Sequence, residues 1–402
     1  MTFVGQTAES ATIGVTRSGA IMYAPRIDNT STPPQNVVQG PEFVVRSRNR
    51  GAMWTALSSG GPTTGGLVPP WMDVDPQTSR VWFLTTLPTL CGARISWSDD
   101  GGGHWHTNAK VGCPGQGGEK VLEGPAPRGG ARPHGYAHVV YYCANGGLDT
   151  GPTTLACYKS LDGGRTFHPT GGIPDPPGKA GACGVNHVAR PGVAGPDGNL
   201  YFSLNLCGNL GTAISRDEGV TWQRRLIART SIRDVYTSSV ATDSSGNVYV
   251  AWLAGKGPSS GGNGGSGLPY LVISHDHGRT WSKPLMIAAP GVKSALHEAI
   301  AATGTGHIAI SYLGSNHGAN FSGYITESSN ALARRPVFWS APVNNPARPL
   351  ISGTRPQTFG DRLFLITDTF GPDGIPWAAF HCAYESACPN ERVGVVGRLA
   401  AP

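Results

Sequence analysis

The chain has 402 residues, a formal net charge of +6 and a pI near 8.9, with 14% charged residues, 58 glycines and 33 prolines. That composition describes many short strands joined by turns and excludes a long-helix protein. Lys and Arg are scattered rather than clustered, which excludes a nucleic-acid footprint, and no apolar run approaches the roughly 18 residues of a membrane helix.

In chain order, the start Met1-Thr2-Phe3-Val4-Gly5 has neither a basic nor an apolar leader region, so any secretion signal is expected to have been removed. From there one pattern recurs: a short strand, a tight Gly/Asp/Ser turn and a stronger strand. Its instances are 17–23, 77–83, 196–202, 244–250, 304–310 and 372–377. Each reads as the hairpin between the first and second strands of a repeated unit. The third unit has a longer turn, through Pro125 to Gly135, before Ala137 to Tyr142. The glycine-rich run 257–265 reads as a loop and not a phosphate cradle, because no Lys-Ser/Thr follows it.

A second pattern follows the first five of these units. Ser274-His275-Asp276-His277-Gly278-Arg279-Thr280-Trp281 reads S-x-D-x-G-x-T-W, and copies begin at Ser215, Ser160 and Ser98, the last with His104 in the Thr slot. A weaker copy begins at Ser47. The starts are 51, 62, 55 and 59 residues apart, a period that signals a propeller or solenoid. Ser and Asp can accept backbone N–H groups of a turn, Gly supplies a positive φ, and the aromatic residue plugs the sheet. On these residues the chain resembles the Asp-box, or BNR-repeat, β-propellers, which include the sialidases. The resemblance implies that the boxes are structural and peripheral, joining the third and fourth strands of each blade.

The fold class predicted is all-β, a single seven-bladed propeller over 1–402, with six blades as the alternative. The blades are expected at roughly 10–58, 69–108, 118–170, 185–227, 236–285, 296–342 and 359–399. Blade six is expected to have lost its box, and the N-terminal strand to complete blade seven and close the ring. Eight cysteines with no zinc spacing suggest disulfides and an oxidising compartment. If neighbours in the repeat are neighbours in space, the pairs are 91–113, 143–157, 183–207 and 382–388. A secreted monomer follows as the expectation.

By the same resemblance, a ligand sits on the axis, where the inner strands begin. Trp71 and Asp73, His187 and Arg190, Arg233 and Tyr236, His297 and Glu298, and Asp361 and Arg362 are expected to gather there. Such a density of ionisable groups in a charge-poor chain is either self-paired or built for a ligand. In a sialidase-like hydrolase, Arg190, Arg233 and Arg362 would bind a carboxylate, Tyr236 with Glu298 would form the nucleophile pair, and Asp73 would be the acid. The sialidase Arg-Ile-Pro motif is missing its proline at Arg26-Ile27-Asp28. In a polysaccharide lyase on uronic acids, Arg190 would neutralise the carboxylate while His187, Tyr236 or His297 moves protons. In a binding module, Trp71 would stack on a sugar, and Arg362 with Asp361 would tie blades together. The spacings of His134, His187, His297 and His381 match no ligand motif, so no metal or other cofactor is expected. The leading expectation is a secreted enzyme cleaving an acidic glycan, a sialidase-like hydrolase ahead of a lyase.

Overall fold

The computed structural model describes all residues except 8–10, 26–42, 58–69, 87–91, 113–119, 146–152, 175–191, 207–208, 231–237, 255–266, 319, 352–365, 383–392 and 400–402. Among the described residues, 28 strands form seven antiparallel sheets of four. Strand β1 (Thr2–Thr7) stands apart in the order and returns below. Blade one is β2 (Thr12–Val15), β3 (Ile21–Ala24), β4 (Val44–Ser47) and β5 (Thr55–Leu57). Blade two is β6 (Trp71–Val74), β7 (Val81–Thr86), β8 (Ala93–Ser98) and β9 (His106–Val111). Blade three is β10 (Lys120–Gly124), β11 (Val139–Asn145), β12 (Thr153–Ser160) and β13 (His168–Pro174). Blade four is β14 (Val193–Ala194), β15 (Leu200–Leu206), β16 (Asn209–Ser215) and β17 (Gln223–Ala228). Blade five is β18 (Ser238–Thr242), β19 (Val248–Ala254), β20 (Leu268–Ser274) and β21 (Leu285–Met286). Blade six is β22 (Ser294–Ala302), β23 (Ile308–Ser315), β24 (Ser322–Ser328) and β25 (Trp339–Pro342). Blade seven is β26 (Thr367–Phe370), β27 (Pro376–Cys382) and β28 (Val393–Arg398), with β1 as its outer strand.

The first strand of each blade lies beside that of the next, and β26 lies beside β2, so the inner strands make a closed ring. Closure is by the chain's two ends: Thr2 pairs with Val396 and Phe3 with Val395. The fold is therefore a seven-bladed β-propeller, and the six-bladed alternative falls away.

The physical basis is burial of each sheet on both faces. Along β11, Val139, Tyr141 and Cys143 pack toward blade four, while Val140, Tyr142 and Ala144 pack toward blade two. A sheet covered on both sides reads as a continuous apolar run rather than an alternating one, which is how Val139 to Ala144 reads. The buried apolar residues fall into seven clusters, one at each junction between neighbouring blades. Neighbouring inner strands pack closely. A Cβ at Gly14 would lie 2.4 Å from Val74 Cγ2, and one at Gly124 would lie 2.6 Å from Ala194 Cβ.

The predicted pair Cys143–Cys157 is bonded, across directly opposed positions of β11 and β12. Cys382 is also disulfide-bonded. The remaining predicted pairings involve Cys91, Cys113, Cys183, Cys207 and Cys388, which lie outside the described residues.

Each Asp box forms the same turn. The Ser Oγ accepts the N–H of the glycine four residues on, at 2.8 Å in all five copies: Ser47, Ser98, Ser160, Ser215 and Ser274. The same hydroxyl donates to the Asp, or to Asn49 in the first copy. The second Asp oxygen accepts the Thr hydroxyl at 2.5–2.6 Å in three copies, and His104 Nδ1 fills that role at 2.6 Å beside Asp100. Two consecutive residues, at positions four and five, have positive φ in every copy. Position four is Arg50, Gly101, Gly163, Glu218 or His277, so the turn forces three non-glycine residues into the left-handed region.

Blade six keeps only a remnant of this turn: Ser328 donates to Asn330 at 3.2 Å, and Asn330 Oδ1 accepts the Val337 N–H at 2.9 Å. The glycine, the threonine and the positive-φ pair of the other copies are missing there, and the chain between Asn330 and Val337 is longer.

Candidate functional site

Antiparallel order fixes the two ends of the ring. The hairpins between first and second strands share one end with the Asp boxes, and the inner strands begin at the other. Four of the ten expected site residues are described: Trp71, Asp73, His297 and Glu298. His187, Arg190, Arg233, Tyr236, Asp361 and Arg362 lie outside the described residues.

His297 occupies an irregularity in β22. Leu296 pairs with Leu313 and Glu298 pairs with Tyr312, so His297 is the extra residue of a β-bulge. Its φ is +46°, outside the usual range for a side-chain-bearing residue. His297 is 4% exposed and Glu298 fully buried. Bulges re-aim side chains, and strained φ values gather at functional positions. Nothing in the local sequence Leu296-His297-Glu298-Ala299 announces the bulge; the unusual order of two ionisable residues within an apolar strand was the signal.

Trp71 is 8% exposed and packs among Trp82, Leu84, Ile95 and Val121 at the junction of blades two and three. Its rings belong to that core, which leaves little face for stacking on a sugar.

Asp73, two residues further along β6, is the residue of that strand that keeps solvent contact while Trp71, Met72 and Val74 are buried. One oxygen accepts the Val74 N–H at 2.8 Å. Burial, reinforced by the Asp75 charge, pushes its carboxyl up to about 6. On the adjacent inner strand β10, Glu123 is likewise the residue left partly exposed. Burial and the charges of Asp73 and Asp75 raise its carboxyl well above the usual range. The sequence reading missed Glu123; its signal was an acid inside the apolar run Val121-Leu122-Glu123-Gly124, matching Met72-Asp73-Val74 on the neighbouring strand.

Below this pair, at the Asp-box end, Asp75 is fully buried and held as an anion. It lies 2.8 Å from His138 Nδ1 and accepts hydrogen bonds from the Thr78 hydroxyl, the Tyr136 hydroxyl and two backbone N–H groups. Burial opposes its ionisation, but the bonds from His138, Tyr136 and Thr78 outweigh burial and bring it down to about 2. Arg80 lies beside this network, with its guanidinium 3.9 Å from the Tyr136 ring centroid and bidentate on Asp99. Among the described residues, no group of three or more His, Cys, Asp or Glu side chains is arranged to hold a metal ion.

Seven blades with recurrent Ser/Asp turns at one end define a β-propeller of the Asp-box type. The BNR/Asp-box repeat family matches residues 272–283, the copy around Ser274. Among solved structures, an ulvan lyase bound to a GlcA(1-4)Rha3S repeat superposes with a TM-score of 0.54 at 12% identity, covering 94% of this chain and 91% of that one. The NanB sialidase of Streptococcus pneumoniae gives 0.49 at 12% identity over 98% of this chain and 69% of that one. The intramolecular trans-sialidase of Ruminococcus gnavus gives 0.45 at 14% identity over 98% and 96%. No curated protein sequence matches the chain.

Proposed function

We propose that this protein is a secreted enzyme that cleaves glycosidic bonds in an acidic glycan bound where the inner strands begin. The observation that carries the reading is His297: a histidine at positive φ, at the centre of a bulge, on an inner strand facing the ring axis. In this reading His297 moves a proton, with His187 and Tyr236 as its expected partners and Arg190, Arg233 and Arg362 as carboxylate-binding groups. β-Elimination on a uronic-acid polysaccharide is the favoured chemistry, supported by the histidine and by a propeller fold shared with a polysaccharide lyase. Hydrolysis of a sialidase-like kind is the second reading, and Asp73 favours it, because its raised carboxyl suits a general acid.

A panel of uronate-containing and sialylated glycans tests the proposal. New ultraviolet absorbance from an unsaturated uronate identifies elimination; released sugar or new reducing ends without it identify hydrolysis. His297→Asn, which tolerates a positive φ, is expected to keep the fold and lose turnover by at least ~100-fold. Full activity in that variant, or no product from any glycan, overturns the proposal.

A further inference from the structure

We infer that Glu123 and Asp73, on the neighbouring inner strands of blades two and three, form a carboxyl dyad that keeps one proton at neutral pH, carried by Glu123. The two residues lie on adjacent inner strands, and each is the residue of its strand that retains solvent contact. Glu123 Oε2 is buried and accepts no hydrogen bond among the described residues. Asp73 has a donor, the Val74 N–H.

The groups facing the dyad decide where the proton goes. Asp75 is committed as a carboxylate by His138, Tyr136, Thr78 and two backbone N–H groups, so it contributes a fixed negative charge. Arg80 is the cation beside the cluster, yet it is engaged elsewhere. Its Nε and Nη2 bind Asp99 at 2.6 and 2.8 Å, and its Nη1 donates to the Gly163 carbonyl at 3.0 Å. His138 is turned to Asp75 and to Gln77 Oε1, at 2.8 and 3.0 Å. Asp368, on β26 beyond β2, is a further acid on an inner strand and adds no positive charge. Among the described residues the cation beside this cluster is already engaged, and three carboxyls crowded in that setting do not all ionise. The proton stays on the one with fewest donors, which is Glu123.

A neutral carboxyl in contact with solvent, beside an ionised one, is a proton donor with its own base, which moves the general-acid role of the hydrolase reading from Asp73 to Glu123. The oxygen of a glycosidic ether is the chemistry such a pair serves. That use rests on the glycan-cleaving reading above; the proton-holding itself does not.

The test needs no substrate. The full-length protein, labelled with ¹³C at its side-chain carboxyls, is titrated by NMR. One glutamate is expected to remain protonated at neutral pH, and Glu123→Gln is expected to remove that signal. Asp73→Asn, which deletes the neighbouring charge, is expected to lower the Glu123 midpoint by ~1 pH unit or more. The dyad is overturned if every glutamate of the wild-type protein is ionised at neutral pH, or if the Glu123 midpoint does not move in Asp73→Asn. The wild-type titration alone decides the matter should Glu123→Gln fail to fold. Absence of glycan cleavage would count against the proposed function and leave this titration untouched.

Discussion

Arg80 of blade two donates to the carbonyl of Gly163, in the Asp box of blade three, at 3.0 Å. The contact recurs around the ring. Arg46 donates to the Gly101 carbonyl at 2.6 Å, Lys159 pairs with the Glu218 carboxylate at 2.6 Å, and Arg216 donates to the His277 carbonyl at 2.9 Å. In each case a cation of one blade reaches position four of the next blade's box. The left-handed conformation at that position presents the group toward the preceding blade, so the turn's strain and the inter-blade bond come together.

Removing the best-buried of these cations should be costly. Arg80→Ala breaks the Gly163 bond, the bidentate Asp99 pair and the stacking on Tyr136. A loss of about 2–3 kcal/mol is expected, because several charge-assisted bonds go at once. Asp99→Asn should cost less than about 1 kcal/mol, since its carboxylate is 55% exposed. Urea midpoints of the two variants, at unchanged slope, check the order.

Position four also offers a gain. Arg50 is exposed with φ +56°, so Arg50→Gly should stabilise the protein by about 1 kcal/mol through relief of the left-handed strain. The neighbouring position is the reverse case. A Cβ at Gly102, φ +91°, would lie 2.3 Å from Leu57 Cδ1, and Gly102→Ala should lose about 2 kcal/mol or more. Thermal unfolding of both variants reads the opposite signs.

Stability should bend with pH in two directions. Asp75 is depressed to about 2 in the folded protein, below the ordinary value near 4, so its contribution is present above about pH 4 and is lost as pH falls toward 2. Asp73 is raised to about 6, so the folded state holds a proton that the unfolded chain has released, and stability declines as pH rises from about 4 to about 6. Asp73→Asn should reduce that decline, leaving the part that the raised Glu123 carboxyl contributes, and leave the acid limb unchanged, as denaturant titrations across the range would reveal.

The disulfide closes a separation of 14 residues between opposed strands, in the cluster that joins blades three and four. Replacing Cys143 and Cys157 together with alanine should lower stability by about 3 kcal/mol. Reduction of the wild-type protein should cost at least as much, because it also opens the bridge at Cys382.

Much of the fold was legible because it is periodic. Five Ser/Asp turns and six hairpins set the blade count, and the apolar run at 139–144 told of a sheet covered on both sides. The blade-six remnant was not legible, since a motif of fixed spacing is blind to the longer chain between Asn330 and Val337. The axial chemistry was harder for a related reason. Inner strands are short and end in loops of differing length, so no common register aligns their first residues. Asp73 and His297 stood out as ionisable residues against apolar neighbours, and Glu123 was passed over. The bulge at His297 is a pairing property of two strands and has no trace in one of them.

The pairing of Thr2 with Val396 means that the ring has a latch built from residues nearly the whole chain apart. Blades one to six draw all four strands from contiguous sequence and can assemble from local contacts, whereas blade seven waits for a loop closure that spans them all. That last step should be the slow one in folding. It should also be the first to reverse under mechanical load on the termini, where peeling β1 from β28 would leave a blade with an open edge and a ring free to spread.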